Sequence, residues 1–577
     1  MRSGGARILI ESLIEQGVDT IFGIPGGSVL YIYDELYKYR NKIRHILVSH
    51  EQHAAHAADA YSRSSGKVGV CIATSGPGAT NLITGIAAAY MDSVPLVAIT
   101  GNVPTGILGK DSFQEVDIAG VSMPVVKHNW IVKNVNELAE VVREAFIVAR
   151  LGRPGPVLID IPKDITVLSA EWQPRKTRNI SGSCDTLSAR ARRLANRAAR
   201  PTFTEEDIDR AASLILEAKR PLLYAGGGVI MADASEELKS LSLRLNAPVA
   251  LSLMGIGAMP SRHPLCTGLI GMHGTVASNK AAQKADLLLA LGARFSDRVI
   301  GNSDSFAKTA RVLHFDIDPA EINKNVITDD WVIGNVKETL SKLLEKLPPK
   351  METEWSGEIE KWKAHIPQTH AKNVNIKKDA LTPRFVIEES SSKLGDDVIA
   401  VTDVGQHQIW AAQFFPACRP RSFLSSGGLG AMGFGLGAAI GAKLANPGRR
   451  IVLFTGDGSF RMNSAEMATL AAYRIPVLII IFNNRSLGML RQWQSLFYEE
   501  RYYATSLPPQ PDFLKLGLAY GIPSYRAEDK GAFANALEEA FTNLEKGSSA
   551  LIEAVIEQDE KVLPMAPPGR PIDEQIL

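Results

Sequence analysis

Short, continuously apolar runs along this chain end in glycine-rich or acidic turns. Longer stretches follow in which apolar residues recur at helical spacing. Runs that are apolar throughout read as strands buried on both faces, and their alternation with helices predicts parallel βαβ units. Three segments show the pattern. In residues 1–170, DTIFGIPGG reads as a strand ending in a glycine turn. KVGVCIATSGPGATNLITGIAAAYMDSVPLVAITG reads as strand, glycine turn, helix and strand, and GPVLIDIPKD as a closing strand. In residues 204–345 the strands are RPLLYAGGGVI, APVALSLMGIG, ADLLLALGARF and ARVLHFDIDP. In residues 375–577 they are DVIAVTDVG, RRIVLFTGDGSF, IPVLIIIFNN and SSALIEAVIE. The predicted class is α/β, with three doubly wound parallel-sheet domains joined by linkers at 171–203 and 346–374. Right-handed crossovers put the glycine turns at the ligand-binding edge of each sheet.

Composition narrows the function classes. A chain of 577 residues that is 45% hydrophobic and 22% charged supports several ordinary cores. A formal charge of +1 supplies no field for nucleic acid or an anionic membrane. No apolar run reaches the ~18 residues of a membrane span, and the start MRSGGARILIESLIEQG lacks a secretory pattern. Cys71, Cys184, Cys266 and Cys418 are scattered, with no C-x-x-C pair, which suits a reducing compartment. A cytoplasmic protein is expected, or an organellar one if a transit peptide has been removed. The run from Pro174 to Arg200 holds eight arginines or lysines against Asp185 alone. It reads as a solvated linker in preference to a patch for RNA or an acidic partner.

Two stretches carry candidate chemistry. In SHEQHAAHAADAYS, His50, His53 and His56 are spaced by three with Glu51 beside the first. A zincin helix needs two histidines four apart, and these three rings fan over roughly 120° of a helix. A metal site is disfavoured against a polar helix start. In RRIVLFTGDGSFRMNSAEMATLAAYRIPVLIIIFNN, a buried strand runs into Gly456-Asp457-Gly458, a helical pattern covers about Ser464 to Tyr473, and a second strand ends at Asn483-Asn484. Twenty-four residues, Ser459 to Phe482, make one crossover, so Asp457 and Asn484 converge at the ligand edge. A carboxylate, a carboxamide oxygen and backbone carbonyls suit Mg²⁺ with a phosphate completing its shell. In the middle segment, Gly226 to Gly228 and the acids Asp316 and Asp318 read equally as a dinucleotide site or as structural turns.

With G-D-G, about 24 residues, then N-N, the chain resembles the thiamine-diphosphate-dependent enzymes. The resemblance sharpens to the acetohydroxyacid synthase (acetolactate synthase) catalytic subunits. It rests on FGIPGGSVLYIYDEL, TSGPGATNL, DSFQEVDIAGVSMPVVKHNW, LGARFSDRVIGN, SGGLGAMGFGLGAAIGA, NNRSLGMLRQWQSLFY and the terminal VLPMAPPG, and covers nearly the whole chain except the arginine-rich run. It implies that Glu51, in H-E-Q after a strand, meets the cofactor's aminopyrimidine ring. Asp457, Asn484 and the carbonyl of Ser486 would hold Mg²⁺. Gln406, His407, Gly430, Met432, Gly456, Gly458, Ser459, Gly488 and Met489 would contact thiamine diphosphate. Gly27 and Gln114 would line the reacting centre, with Phe113 beside them and Lys163 near the entrance. Arg298 would bind the second substrate's carboxylate and Trp493 shape its pocket. Arg153, Gly226, Met272, His273, Gly274, Gly292, Arg294, Asp316 and Asp318 would contact FAD, which has no net redox role in the family's main reaction. His53, Ile24 and Ser296 stand where the family usually carries a small residue, a tyrosine and an aspartate.

The activity implied is carboligation: pyruvate is decarboxylated, and its two-carbon unit is joined to pyruvate or 2-oxobutyrate, for branched-chain amino acid synthesis. Glu51 and Asp457 lie in different segments, and in the family such groups meet across two chains. A homodimer or homotetramer is therefore expected, with a small regulatory subunit as a possible partner. A flavin-dependent pyruvate oxidase is the alternative enzyme, opposed by Trp493 and Phe113-Gln114. A non-catalytic paralogue is opposed by intact Glu51, Asp457 and Asn484.

Overall fold

The computed structural model describes residues 2–173, 202–355, 357–364 and 379–577. The arginine-rich run and Cys184 lie outside the described residues. Three six-stranded sheets form, and every neighbouring pair of strands within them is parallel. The first sheet holds β1 (Thr20–Gly23), β2 (Arg44–Leu47), β3 (Gly69–Ala73), β4 (Leu96–Asn102), β5 (His128–Ile131) and β6 (Pro156–Pro162). Its order is β2-β1-β3-β4-β6-β5. The second holds β7 (Pro221–Ala225), β8 (Val249–Leu251), β9 (Cys266–Leu269), β10 (Leu287–Leu291), β11 (Arg311–Asp316) and β12 (Asp330–Ile333), in the order β9-β8-β7-β10-β11-β12. The third holds β13 (Ile399–Thr402), β14 (Phe423–Leu424), β15 (Ile451–Gly456), β16 (Leu478–Asn483), β17 (Ser524–Ala527) and β18 (Ala550–Val555), in the order β14-β13-β15-β16-β18-β17.

The first and third sheets thus share one strand order, and the second has the dinucleotide-binding order. In open α/β sheets a crevice forms at the carboxyl ends where the order reverses. These points fall between β1 and β3, between β7 and β10, and between β13 and β15. The strands beside them are buried along their length, as their apolar sequences require.

One apolar core runs from the first domain into the third, with Phe22, Leu96, Leu453 and Ile479 among its members. Its axis is the crossing of helix α1 (Glu51–Ser65) on helix α2 (Gly435–Ala445). Small residues permit the close approach. A Cβ at Gly437 would lie 2.9 Å from the His53 carbonyl oxygen, and one at Gly441 1.9 Å from that of Ala57. The C-terminal tail then returns to the central domain. Ala566 N donates to the Met272 carbonyl (2.7 Å), Asn279 Nδ2 to that of Ile572 (2.7 Å) and Gln575 Nε2 to that of Gly274 (2.8 Å).

Two details differ from the sequence expectation. The helix after Gly456 begins at Asp457 and runs to Asn463, followed by a 3₁₀ turn, Ser464–Glu466, and a helix, Met467–Tyr473. The expected helix thus starts early, because the G-D-G turn is itself its first turn. Trp355, in the stretch read as a linker, is buried in the central core and donates its indole N–H to the Pro221 carbonyl at 2.8 Å. Among the described residues no helix is long and apolar enough to cross a membrane.

Candidate active site

The third domain supplies one half of the site. β15 and β16 are neighbours, with Gly456 paired to Phe482, so Asp457 and Asn484 emerge at adjacent strand ends. Asp457 is only 2% exposed, and its Oδ2 has no hydrogen-bond partner among the described residues. Burial pushes its carboxyl up to about 7, against the opposing pull of surrounding backbone N–H groups. Asn484 Oδ1 accepts from the Ser486 N–H at 3.2 Å, and its Nδ2 donates to Gln406 Oε1 at 3.2 Å. Gln406 opens the helix after β13, across the switch point, and donates to Gln492 Oε1 (3.0 Å) and the Glu560 carbonyl (2.8 Å). Next to it, His407 is buried with Nε2 unpartnered among the described residues, and burial lowers its pKa to about 3, so the imidazole is neutral.

Close backbone approach shapes this half. A Cβ at Gly456 would lie 2.8 Å from His407 Nδ1, and one at Gly488 2.0 Å from Gln406 Oε1. A Cβ at Gly458 would meet Leu487 at 2.8 Å, with the Met432 methyl at 3.9 Å. Ser459 turns its hydroxyl away to the Val404 carbonyl at 2.8 Å, while Met489 packs on a core that the third domain shares with Ile256 and Leu269 of the central domain. Gly430, at φ +67°, stands exposed in the loop before Met432. A buried carboxylate oxygen without a donor, beside a carboxamide, is the environment of a hard cation. No group of three His, Cys, Asp or Glu side chains offers an alternative metal site among the described residues.

The first domain supplies the other half. Glu51 is the first residue of α1, 9% exposed, and its Oε2 accepts from Asn81 Nδ2 at 2.9 Å. A Cβ at Gly78 would stand 3.2 Å from Glu51 Oε1, and one at Gly76 (φ +62°) 2.8 Å from Gln114 Cα. The turn after β3 therefore gathers Glu51, Asn81 and Gln114, the last itself at φ +57°. Gly27 is exposed with open space where a Cβ would go, Phe113 is 88% exposed, and Lys163 opens the short helix after β6.

The three histidines have separate tasks. His50 caps α1 by accepting from the Gln52 N–H (3.1 Å), and His56 lies buried against the Phe434 ring (5.1 Å between centroids). His53 Nδ1 bonds to Glu466 Oε1 of the third domain at 2.9 Å, which accounts for a histidine where a small residue is usual.

Sequence reasoning missed the groups that hold the loop bearing Gly430 and Met432. Asp92 accepts from the N–H groups of Gly427 (3.0 Å) and Gly428 (2.7 Å) and pairs with buried Arg63 at 2.9 Å. Asp403, fully buried, accepts from the N–H groups of Gly433 (2.8 Å) and Gly435 (3.2 Å) and from Asn463 Nδ2 (2.8 Å). An acid directly after β13 was the one available signal for Asp403; Asp92 had none.

In the central domain, Gly226 and Gly292 meet at the β7/β10 switch point, where a Cβ at Gly226 would lie 2.1 Å from the Gly292 carbonyl oxygen. Arg294 follows, half-buried, and Asp316 ends β11. Arg153 reaches across from the first domain to Asp318 (3.3 Å) and Glu321 (2.7 Å), so two of the expected flavin contacts pair with each other. Gly274 closes a backbone turn on Gly271, and buried His273 has its pKa lowered to about 4 by desolvation. Arg298 is 65% exposed, 3.7 Å from Asp297, and Trp493 packs edge-on against Phe497 at 5.6 Å. No hydrogen bond or ion pair among the described residues joins Arg298, Trp493, Glu51 and Asp457 to one another.

Family comparisons agree with this division. A model described as "Thiamine pyrophosphate enzyme, N-terminal TPP binding domain" matches residues 4–121, the corresponding central domain 208–343, and the C-terminal TPP binding domain 403–554. The chain is 44% identical to the acetolactate synthase large subunit of Pyropia yezoensis over 578 residues, covering 98% of this chain and 94% of that one. It is 46% identical to a probable acetolactate synthase large subunit of Methanocaldococcus jannaschii over 573 residues, with 98% and 94% covered. With the acetolactate synthase large subunit of Corynebacterium glutamicum, identity is 45% over 579 residues, with 98% and 89% covered. The chain belongs to the thiamine pyrophosphate enzymes, in their acetolactate synthase branch.

Proposed function

We propose that this chain is the catalytic subunit of an acetolactate synthase that decarboxylates pyruvate and joins the two-carbon unit to a second pyruvate or to 2-oxobutyrate. The observation that carries the reading is the buried Asp457 Oδ2, which has no partner among the described residues, beside a strand-order reversal and next to the strand end that bears Asn484. Asp457, Asn484 and the Ser486 carbonyl would hold Mg²⁺, which relieves the buried charge. His407 would line the diphosphate site, and Gln406, by accepting from Asn484 Nδ2, would hold that amide with its oxygen toward the ion. Thiamine diphosphate, when bound, supplies the electron sink that decarboxylation of a 2-oxo acid requires.

Glu51 would share a proton with a pyrimidine ring nitrogen, and its burial with one bond from Asn81 suits that task. Arg298, exposed and paired at 3.7 Å with its neighbour Asp297, would take the acceptor's carboxylate, and Trp493 would bound its pocket. FAD would sit at the β7/β10 crevice over Gly226 and Gly292, with Arg294 near its phosphates, Asp316 at a ribose hydroxyl, and no redox duty in this reaction.

The two halves of the site belong to a homodimer in this reading, each copy lending Glu51 to the other's metal. Exposed Leu30, Tyr31 and Phe113 in the first domain, and Leu490, Tyr498 and Tyr503 in the third, support a protein interface. The relatives' designation as large subunits supports a small regulatory partner. Product analysis tests the reading. Pyruvate alone should give 2-acetolactate, and added 2-oxobutyrate should give 2-aceto-2-hydroxybutyrate. Acetyl phosphate or acetaldehyde as the main product would refute it.

A further inference from the structure

We propose that Glu466 is a positioning residue for Glu51, an inference that rests on the role given to Glu51 above. Glu466 closes the 3₁₀ turn that follows the Asp457 helix, and its side chain is fully buried. Oε1 accepts three N–H groups: Ser49 N (2.9 Å), His50 N (3.1 Å) and His53 Nδ1 (2.9 Å). Oε2 accepts the Thr469 hydroxyl at 2.7 Å. The first three donors bracket Glu51 in sequence, two just before it and one two residues after it.

These are the bonds that set where α1 begins. The first N–H groups of a helix lack intrahelical partners, and here Gln52 N is already taken by His50. Glu466 fixes the two peptide units leading into the helix, so the direction in which Glu51 leaves the backbone depends on a carboxylate from another domain. Two neighbouring bonds extend the seam: Leu47 N donates to Tyr473 Oη at 2.9 Å, and Ser49 Oγ to the Ala465 carbonyl at 3.0 Å.

The cohesion of the two domains does not require this carboxylate. The α1–α2 crossing has its own glycine contacts and a continuous apolar core. A buried carboxylate costs desolvation that apolar packing would avoid. What it adds is direction: a fixed acceptor at the root of Glu51, with His53 locked on the same oxygen. Removing it leaves the crossing in place and frees the peptide units that aim Glu51.

The test uses holoenzyme loaded with thiamine diphosphate and Mg²⁺, and reads exchange of the cofactor's thiazolium C2 hydrogen for deuterium by acid quench and NMR. That exchange reports Glu51 directly and needs no second substrate. Glu466→Ala should slow exchange by about tenfold or more while cofactor affinity stays within about threefold, since a misplacement of about 1 Å can cost up to ~100-fold. Glu466→Gln keeps one acceptor oxygen and the side-chain shape, and should fall between. Glu51→Gln alone should slow exchange strongly, and the double variant should be no slower, because Glu466 acts only through Glu51. Exchange within about twofold of wild type in Glu466→Ala, or losses that add in the double variant, would overturn the proposal. If Glu466→Ala does not fold, Glu466→Gln decides: slowed exchange at unchanged cofactor affinity supports the role, and a wild-type rate overturns it. A wild-type rate in Glu51→Gln would sink the reading of Glu51 itself, and the present proposal with it.

Discussion

Replacing Gly441 by alanine sets two effects of opposite sign against each other. Gly441 lies inside α2, where helix propensity alone favours alanine by about 1 kcal/mol. Packing opposes the change. The new Cβ would lie 1.9 Å from the Ala57 carbonyl oxygen, 2.7 Å from its carbon and 2.9 Å from its Cα, whereas ordinary contact begins at 3.4 Å. All three neighbours are backbone, so no rotamer change relieves the clash, and α1 and α2 must part by roughly 1.5 Å where packing is dense. Overpacking of this kind costs about 1–3 kcal/mol or more, and the upper end applies to a backbone contact. The net expectation is a loss of about 2 kcal/mol, or a melting temperature lower by about 4–8 °C on the scale of a 150–250-residue domain. Differential scanning fluorimetry reads it directly. Because α1 begins at Glu51, kcat should fall with it. Gly531→Ala is the contrast: it is exposed in its helix, with only Asp529 Oδ1 at 3.4 Å, so propensity acts alone and stability should hold or rise. An unchanged or higher melting temperature in Gly441→Ala would show that the helices do not cross as closely as described.

Two further outcomes follow from the same geometry. Asp457→Asn removes the charge that would hold Mg²⁺, so stabilisation by thiamine diphosphate with Mg²⁺, about 2.7 kcal/mol at 100 times the dissociation constant, should vanish. Chelation of the wild type should reproduce that loss in the same thermal-shift assay; a variant with full metal-dependent stabilisation would contradict the metal assignment. His45 is mostly buried, its Nε2 3.0 Å from Tyr33 Oη, and desolvation lowers its pKa to about 4. A histidine with a depressed folded pKa contributes stability that is present above its unfolded value near 6.5 and is lost as pH falls toward 4. The window is thus pH 6.5 to 4, and the ceiling is about 3 kcal/mol. His45→Gln should flatten the decline of melting temperature across that window, and an equal slope in both proteins would count against this group.

The sequence by itself determined the inner strands, the chemistry at their ends and the family. The inner strands of each sheet are covered on both faces, so they read as unbroken apolar runs such as LLLAL and IVLFTG. The chemistry was legible because G-D-G and N-N lie at the ends of two such runs, one crossover apart, and H-E-Q at a helix start. Tertiary structure decided the outer strands, where RHIL, HNWI and SYRA mix polar with apolar residues because one side faces no neighbouring strand. It also decided every polar contact between domains. Glu466 and His53 are 413 residues apart, and Asp92 lies 335 and 336 residues from the glycines it holds. A carboxylate carries no local mark of the donor it will meet, since that partner is fixed only when two separately patterned domains share one core. For the same reason, the resemblance offered Arg153 and Asp318 as two flavin contacts, yet they join Glu321 in one ion-paired group once the first and second domains dock.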